Sequence, residues 1–299
     1  MFKNVLVGVD GRSTGRDAIA LAAKLVDPAG ELTLANVRND VLNPLHAAAP
    51  DVIATEREMS HKLLERERSE TGVSAKLMSL VSMSAGGGLH RQAEQQGADL
   101  LVVGSCSHGT IGRAMLGNDT RAALNGASCA VAIASRGYAD HPALSEIGVG
   151  YDDSPESRAA LEIAQGVAAR SGADPRALEV VPISTYSGFG VVPAIVGSDV
   201  EELLADANAR LSKLPGVLEA HAVYGLAGEE LASFSGELDL LVVGSRGYGP
   251  VRRLVLGSTS SYLERHARCS LLVLPRVAVS QTTDDESSAE APWSLSSKA

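Results

Sequence analysis

Glycines and hydroxyl side chains stand near residue 250 in a spacing that suits the binding of a phosphate group. Gly244 and Gly247 are followed, after nine residues, by Gly257. Three hydroxyl residues come next: Ser258, Thr259 and Ser260. Glycine lets the backbone approach a ligand closely, and the first N–H groups of a helix attract negative charge. The spacing therefore predicts a phosphate-binding loop that leads into a helix.

Three arginines accompany these glycines, and a plainer interpretation of the motif remains open. Arg246 lies within the loop, and Arg252 and Arg253 lie before Gly257, so each guanidinium is a candidate phosphate partner. Alternatively, the glycines only form turns and Ser258 only caps the helix. Neither a GxxxxGK[ST] loop nor a GxGxxG motif after a first strand occurs in the chain.

The chain repeats itself, which shows what elements must hold this loop. The segment 5–10 recurs as 147–152, the segment 98–105 recurs as 238–245, and Cys129 recurs as Cys269, at offsets of 142, 140 and 140 residues. Three landmarks in the same order indicate a duplicated domain. We therefore expect domain 1 at residues 1–138, domain 2 at 145–277, and a join within 135–145.

Each copy alternates apolar, β-rich runs with segments of helical periodicity, which predicts an α/β fold. We expect two tandem, doubly wound, Rossmann-like domains, each with a five-stranded parallel sheet in the order 3-2-1-4-5. In the first copy the predicted strands are Asn4–Val9, Glu31–Val37, Ala75–Val81, Leu100–Val103 and Ala130–Ala134, and the predicted helices are Ser13–Val26, Asp51–Glu70, Gly87–Gln96 and Thr120–Gly126. A ligand crevice is expected beyond the first and fourth strands, where the repeated motifs lie.

The last strand of each copy would be an apolar sheet edge. These strands are Ala130–Ala134 and Leu271–Leu274. Apolar edges need covering, and pairing the two copies through them achieves this. We therefore expect a pseudo-twofold pair within one chain, and dimers of chains are a further possibility.

The first copy departs from the phosphate-loop pattern. Its aligned residues are Gly104, Ser107 in place of the second glycine, Gly117, Asn118 and Asp119. Serine disfavours left-handed backbone geometry, and a carboxylate in the first turn of a helix competes with phosphate for the same positive dipole. We expect domain 1 to bind nucleotide more weakly than domain 2, or not at all.

Composition excludes several classes of function. A formal net charge of −10 and an aromatic content of 3% disfavour nucleic acid as a partner. No apolar stretch approaches the roughly 18 residues of a membrane span. Three cysteines without paired spacing indicate a reducing compartment. We expect a cytoplasmic protein with no membrane association.

The C-terminal segment has the composition of a disordered tail. Residues 278–299 are rich in Ser, Thr and Ala, with four carboxylates against one lysine. Such a segment cannot bury enough apolar surface to fold alone. Its tryptophan, Trp293, leaves open the alternative of a docking peptide.

The loop spacing, the Val-Gly-x-Asp strand end and the cysteine before the last strand together resemble the universal stress protein family, as a tandem pair. In the ATP-binding branch the resemblance implies that Asp152 lies near the ribose and the metal, that backbone at Ile183 meets the adenine, and that the glycine loop holds the phosphates. Cofactors implied are ATP and Mg²⁺ bound with it. The implied set in domain 2 is Gly150, Tyr151, Asp152, Ile183, Val243, Gly244, Arg246, Gly247, Gly257, Ser258, Thr259 and Ser260. The weaker set in domain 1 is Gly8, Asp10, Val37, Gly104, Gly117 and Asn118.

Two functions follow from these residues. The first is an ATP-binding stress-response or regulatory protein, in which nucleotide occupancy alters the conformation or the surface offered to a protein partner. The alternative is an interaction or dimerisation scaffold that has kept the fold and lost the ligand. No general base is evident in the sequence, so we expect any ATP hydrolysis to be slow and incidental.

Overall fold

Short strands that are apolar on nearly every residue form the sheet of this protein. The computed structural model describes residues 1–38, 50–105, 126–182, 197–245 and 257–275. Its strands are β1 Phe2–Gly8, β2 Val26–Arg38, β3 Lys76–Val81, β4 Leu100–Gly104, β5 Ala130–Ala134, β6 Ile147–Gly150, β7 Arg176–Pro182, β8 Glu219–Gly225, β9 Leu240–Gly244 and β10 Ser270–Leu274. Val5, Leu6 and Val7 are fully buried, because helices cover both faces of the sheet.

Helices alternate with these strands in both halves. They are α1 Ser13–Leu25, α2 Pro50–Thr71, α3 Ala85–Gln96, α4 Pro155–Ser171, α5 Gly197–Leu211, α6 Ala227–Phe234 and α7 Ser258–His266. Short 3₁₀ turns occur at Tyr138–Asp140 and Ser235–Glu237. Among the described helices, none is both long and apolar enough to cross a bilayer.

The two halves form one ten-stranded sheet. Its strand order is β3-β2-β1-β4-β5-β10-β9-β6-β7-β8, so each half has the predicted order 3-2-1-4-5. Neighbouring strands are parallel except at the centre, where β5 and β10 pair antiparallel with Ala132 opposite Leu272. The doubly wound fold and the pseudo-twofold pairing predicted from the sequence are therefore confirmed.

Two strands, β1 and β2, differ most from the predicted limits, while β3 begins one residue later and β4 ends one residue later than predicted. β1 ends at Gly8 rather than Val9, although the Val9 N–H still donates to the Ala35 carbonyl at 2.8 Å. β2 begins at Val26 rather than Glu31, because Val26 pairs with Phe2 before the register shifts between Phe2 and Asn4. Residues 120–125 of the predicted helix Thr120–Gly126 and the tail 278–299 lie outside the described residues, and Gly126 is in a turn.

A few polar contacts hold the halves together at the seam. The buried Asp17 of α1 accepts hydrogen bonds from the N–H groups of Gly137 and Ala139 at 2.9 and 2.8 Å. These two bonds attach the connection between the halves to α1. At the β5–β10 junction the buried hydroxyl of Ser270 accepts from the Ser135 N–H at 3.1 Å. One apolar layer of the core runs across this junction and includes residues of both copies.

Candidate functional site

The pairing of β6 with β9 brings the predicted strand-end residues of domain 2 to one edge of the sheet. Val149 pairs with Val242, so Gly150 and Gly244 end adjacent parallel strands. A Cβ on Gly150 would lie 3.2 Å from a methyl group of Val243. This is the point where the strand order reverses, and open α/β sheets bind ligands there. Tyr151 and Asp152 follow directly from β6 at the same edge.

The carboxylate of Asp152 is held by the start of α4. Its Oδ1 accepts hydrogen bonds from the Ser154 N–H, at 3.1 Å, and from the Ser154 hydroxyl. Ser154 is the N-cap of α4, and its own side chain accepts from the Ser157 N–H at 3.2 Å. Asp152 is therefore not the cap itself, and its half-buried carboxylate is oriented at the sheet edge by the cap.

The next residue completes the turn with an unusual backbone geometry. Asp153 has φ of +62°, and its counterpart in domain 1 is Gly11 with φ of +75°. The Asp153 carboxylate accepts from the Tyr151 hydroxyl and from Arg158, each at 2.9 Å. These two hydrogen bonds lower the pKa of Asp153 below its ordinary value. They fix the left-handed turn that glycine makes in domain 1.

Gly104 and Gly244 have a packing role in addition to the predicted ligand role. A Cβ on Gly244 would lie 2.6 Å from the Cβ of Glu156, and a Cβ on Gly104 would overlap the Thr14 carbonyl group. Thr14 and Glu156 occupy matching places in the first turns of α1 and α4. Glycine at both positions therefore lets a helix start close against a strand end.

The first turn of α7 has no side-chain cap. The N-cap is Gly257, not Ser258, and glycine has no side chain that could cap the helix start. Ser258 is instead the first helical residue and is exposed, whereas Thr259 is half-buried and Ser260 is buried. An uncapped helix start keeps its N–H dipole available to an anion.

Two buried serines were missed by the sequence reasoning. Ser105 and Ser245 follow Gly104 and Gly244, and each donates its N–H to the strand alongside, at 3.1 and 2.9 Å. Both are almost fully buried, and their hydroxyl oxygens bond to none of the described residues. Buried hydroxyl groups are normally hydrogen-bonded. The sequence does contain a signal that could have identified these two serines, because they occupy identical positions in the two repeats.

Strand register identifies the counterpart of Val37. Gly8 pairs with Ala35 in domain 1 and Gly150 pairs with Leu178 in domain 2. Two residues further along, Val37 therefore corresponds to Val180, while Ile183 lies outside the described residues.

Large exposed apolar side chains stand beside these positions. Met83, two residues after β3, is 66% exposed, and Leu226, directly after β8, is 49% exposed. Leu80 pairs with Val37, and Val223 pairs with Val180. Met83 and Leu226 each follow three residues later, so they occupy corresponding places in the two halves. They expose apolar surface beyond the carboxyl ends of the edge strands, and such surface is typical of the lining of small-molecule sites.

In domain 1 the retained carboxylate has a cationic neighbour. Asp10 accepts from the Arg12 N–H at 3.0 Å, and the Arg12 guanidinium lies 3.7 Å away. A Cβ on Gly8 would lie 2.7 Å from Leu89, so this glycine also serves packing. The remaining predicted residues lie outside the described residues: Arg246, Gly247, Gly117 and Asn118.

Within the described ranges, no three His, Cys, Asp or Glu side chains gather in a cluster that could hold a metal ion. Asp152 is the carboxylate that follows β6 at the crevice. Mg²⁺ that accompanies a nucleotide commonly needs only one or two carboxylates, because the phosphates supply other ligands. The donor set fits an ion that arrives with its nucleotide and does not fit a resident metal centre.

Comparison with known proteins identifies relatives across both halves. Universal stress protein Rv2005c of Mycobacterium tuberculosis is 28% identical over 187 residues, covering 59% of this chain; the chain spans about three fifths, 61%, of that relative. Universal stress protein Rv2624c of the same organism is 27% identical over 283 residues, which cover 92% of this chain and 97% of that protein.

A universal stress protein from Archaeoglobus fulgidus has the same fold, with a TM-score of 0.58 and 18% identity over 91% of this chain and 97% of that one. The universal stress protein family matches residues 1–135 and again residues 144–275. This chain therefore belongs to the universal stress protein family, as a tandem two-domain member.

Proposed function

We propose that this chain binds ATP with Mg²⁺ in domain 2, and that nucleotide occupancy changes the conformation or the surface it offers to a protein partner in a stress response. The observation that carries the proposal is the start of α7, whose N-cap residue, Gly257, has no side chain and follows the glycine-rich connection from β9. A helix start without a capping side chain suits a phosphate group.

The other parts of the crevice supply complementary chemistry. The oriented carboxylate of Asp152 can accept from a ribose hydroxyl or bind the magnesium ion. The buried hydroxyl of Ser245 can donate to a phosphate oxygen. Val180 and Leu226 offer backbone groups and apolar surface for the adenine. Together they match a nucleotide from its base to its phosphates.

Calorimetric titration of the full chain with ATP and Mg²⁺ tests this proposal. Asp152→Ala should weaken binding by roughly tenfold or more, because a hydrogen bond to a charged group contributes about 1.5–3 kcal/mol. Asp10→Ala, the matched change in domain 1, should leave the affinity nearly unchanged. The proposal would be contradicted if the wild type bound no ATP, or if Asp10→Ala abolished binding and Asp152→Ala did not.

A further inference from the structure

One buried carboxylate beside the proposed base site has an oxygen with no hydrogen-bond partner among the described residues. Glu179 lies on β7, directly before Val180, and is 7% exposed. Its Oε1 accepts from the Arg210 guanidinium of α5 at 2.6 Å. Its Oε2 is enclosed and bonds to none of the described residues. Buried polar atoms without partners are rare in folded proteins and call for an explanation.

The corresponding residue of domain 1 has hydrogen-bond partners for both its amide nitrogen and its oxygen. Strand register makes Asn36 the counterpart of Glu179, since Ala35 and Leu178 pair with Gly8 and Gly150. The Asn36 amide donates to the Val9 carbonyl at 2.7 Å, and its oxygen accepts from the buried Ser60 hydroxyl at 2.8 Å. A carboxylate cannot donate to the matching carbonyl in domain 2. The side chain at this position therefore has partners for both of its polar atoms in domain 1, whereas in domain 2 Oε2 has none among the described residues.

Two observations relate the position of Glu179 to the turn at the ligand edge. Asn36 reaches the carbonyl immediately before Asp10, so a side chain at this position extends to the turn that carries the crevice carboxylate. The hydrogen bonds from Tyr151 and Arg158 lower the pKa of Asp153 most, and the charge of Arg210, which is bonded to Glu179, lowers it further. By analogy with Asn36, the side chain of Glu179 extends towards the turn after β6.

We infer that Glu179 reads the nucleobase, with Oε2 accepting a hydrogen bond from the exocyclic amino group at position 6 of a purine. This inference rests on the proposed function, because it requires a base near Val180. The oxygen accepts and cannot donate, so it favours 6-aminopurine over 6-oxopurine nucleotides. Arg210 holds the other oxygen and so fixes which atom faces the base.

Glu179→Gln makes a sharp test because it changes one atom. The guanidinium of Arg210 only donates, so the glutamine oxygen must stay towards it and the amide nitrogen takes the place of Oε2. An acceptor becomes a donor at the base site. The preference for adenine should then be lost, and it should turn towards inosine, whose position 6 is an acceptor.

The experiment is titration of the full chain with ATP and with ITP, each with Mg²⁺. Wild type should bind ATP about tenfold more tightly than ITP, and Glu179→Gln should reduce that ratio to about one or invert it. Glu202→Gln, an exposed change on α5, should keep the wild-type ratio. If Glu179→Gln does not fold, Glu179→Asn, which copies the residue of domain 1, should likewise abolish the ratio.

The outcomes separate the two proposals. Wild type that binds ATP and ITP equally, or a folded variant that keeps the tenfold ratio, would overturn the role of Glu179 and leave ATP binding intact. Wild type that binds neither nucleotide would overturn the proposed function and this inference together.

Discussion

Asp10 and Asp152 occupy the same position in the two halves but have different neighbours. The carboxylate of Asp152 is oriented by the hydroxyl and N–H of Ser154, whereas Asp10 has the guanidinium of Arg12 nearby. The sequence predicted both carboxylates at a strand end, because each follows an apolar run. It could not predict which side chain would orient them, since that depends on the geometry of the following turn.

A buried carboxylate, Glu67 of α2, is held by two arginines. Its carboxylate accepts from Arg16 and from Arg66, each at 2.9 Å. Burial opposes its ionised form, but the two guanidinium hydrogen bonds outweigh this and lower the pKa of Glu67 below its ordinary value. The ionised group therefore stabilises the fold above its unfolded-state pKa, and this contribution is lost as the pH falls through the folded-state pKa.

We predict that Glu67→Gln lowers the free energy of unfolding by about 1–2 kcal/mol at neutral pH, because it removes charge-assisted hydrogen bonds whose arginines are partly exposed. The difference from wild type should shrink as the pH falls below roughly 4, where the wild-type carboxylate is protonated as well. Urea denaturation over a range of pH values measures this. Glu65→Gln, at an exposed site on the same helix, is the control; an equal loss at every pH would contradict the account.

At the scale of the elements, the starts of helices pack closely against the ends of strands. The sequence assigned Gly244 to ligand approach, and the structure adds that α4 could not start so close to β9 if residue 244 had a side chain. That second role depends on how the helix lies over the sheet, which spacing along the chain does not encode. The same holds for Val180, which emerges from strand register and not from motif alignment.

We predict that Gly244→Ala lowers the free energy of unfolding by about 1–3 kcal/mol, because the new Cβ would lie 2.6 Å from that of Glu156. Gly166→Ala is the matched control, since a Cβ there meets nothing within 4 Å and the residue is inside α4. It should raise stability by about 0.5–1 kcal/mol through helix propensity. Chemical denaturation distinguishes these opposite signs, and equal effects would contradict the close packing.

At the scale of the whole molecule, duplication was enough to predict the architecture. Apolar runs at matching places gave the strand order of each half, and the uncovered apolar edges of Ala130–Ala134 and Leu271–Leu274 predicted their pairing. The hydrogen bonds between Asp17 and the connection could not be predicted, because an aspartate on an amphipathic helix usually faces solvent.

We predict that Asp17→Ala lowers the free energy of unfolding by roughly 2–3 kcal/mol, because the N–H groups of Gly137 and Ala139 lose their acceptor. Asp140→Ala, an exposed change in the same connection, should alter stability by less than about 0.5 kcal/mol. Urea denaturation followed by circular dichroism measures both. Equal stability of Asp17→Ala and wild type would show that the connection is not held by this carboxylate.

The central claim is that one of two similar crevices binds the nucleotide. The stoichiometry of ATP and Mg²⁺ binding to the full chain, measured by isothermal titration calorimetry, tests it most directly. The account predicts one high-affinity site per chain in wild type, unchanged in Asp10→Ala and strongly weakened in Asp152→Ala. Two equivalent sites per chain, or a single site that survives Asp152→Ala and is lost in Asp10→Ala, would contradict it.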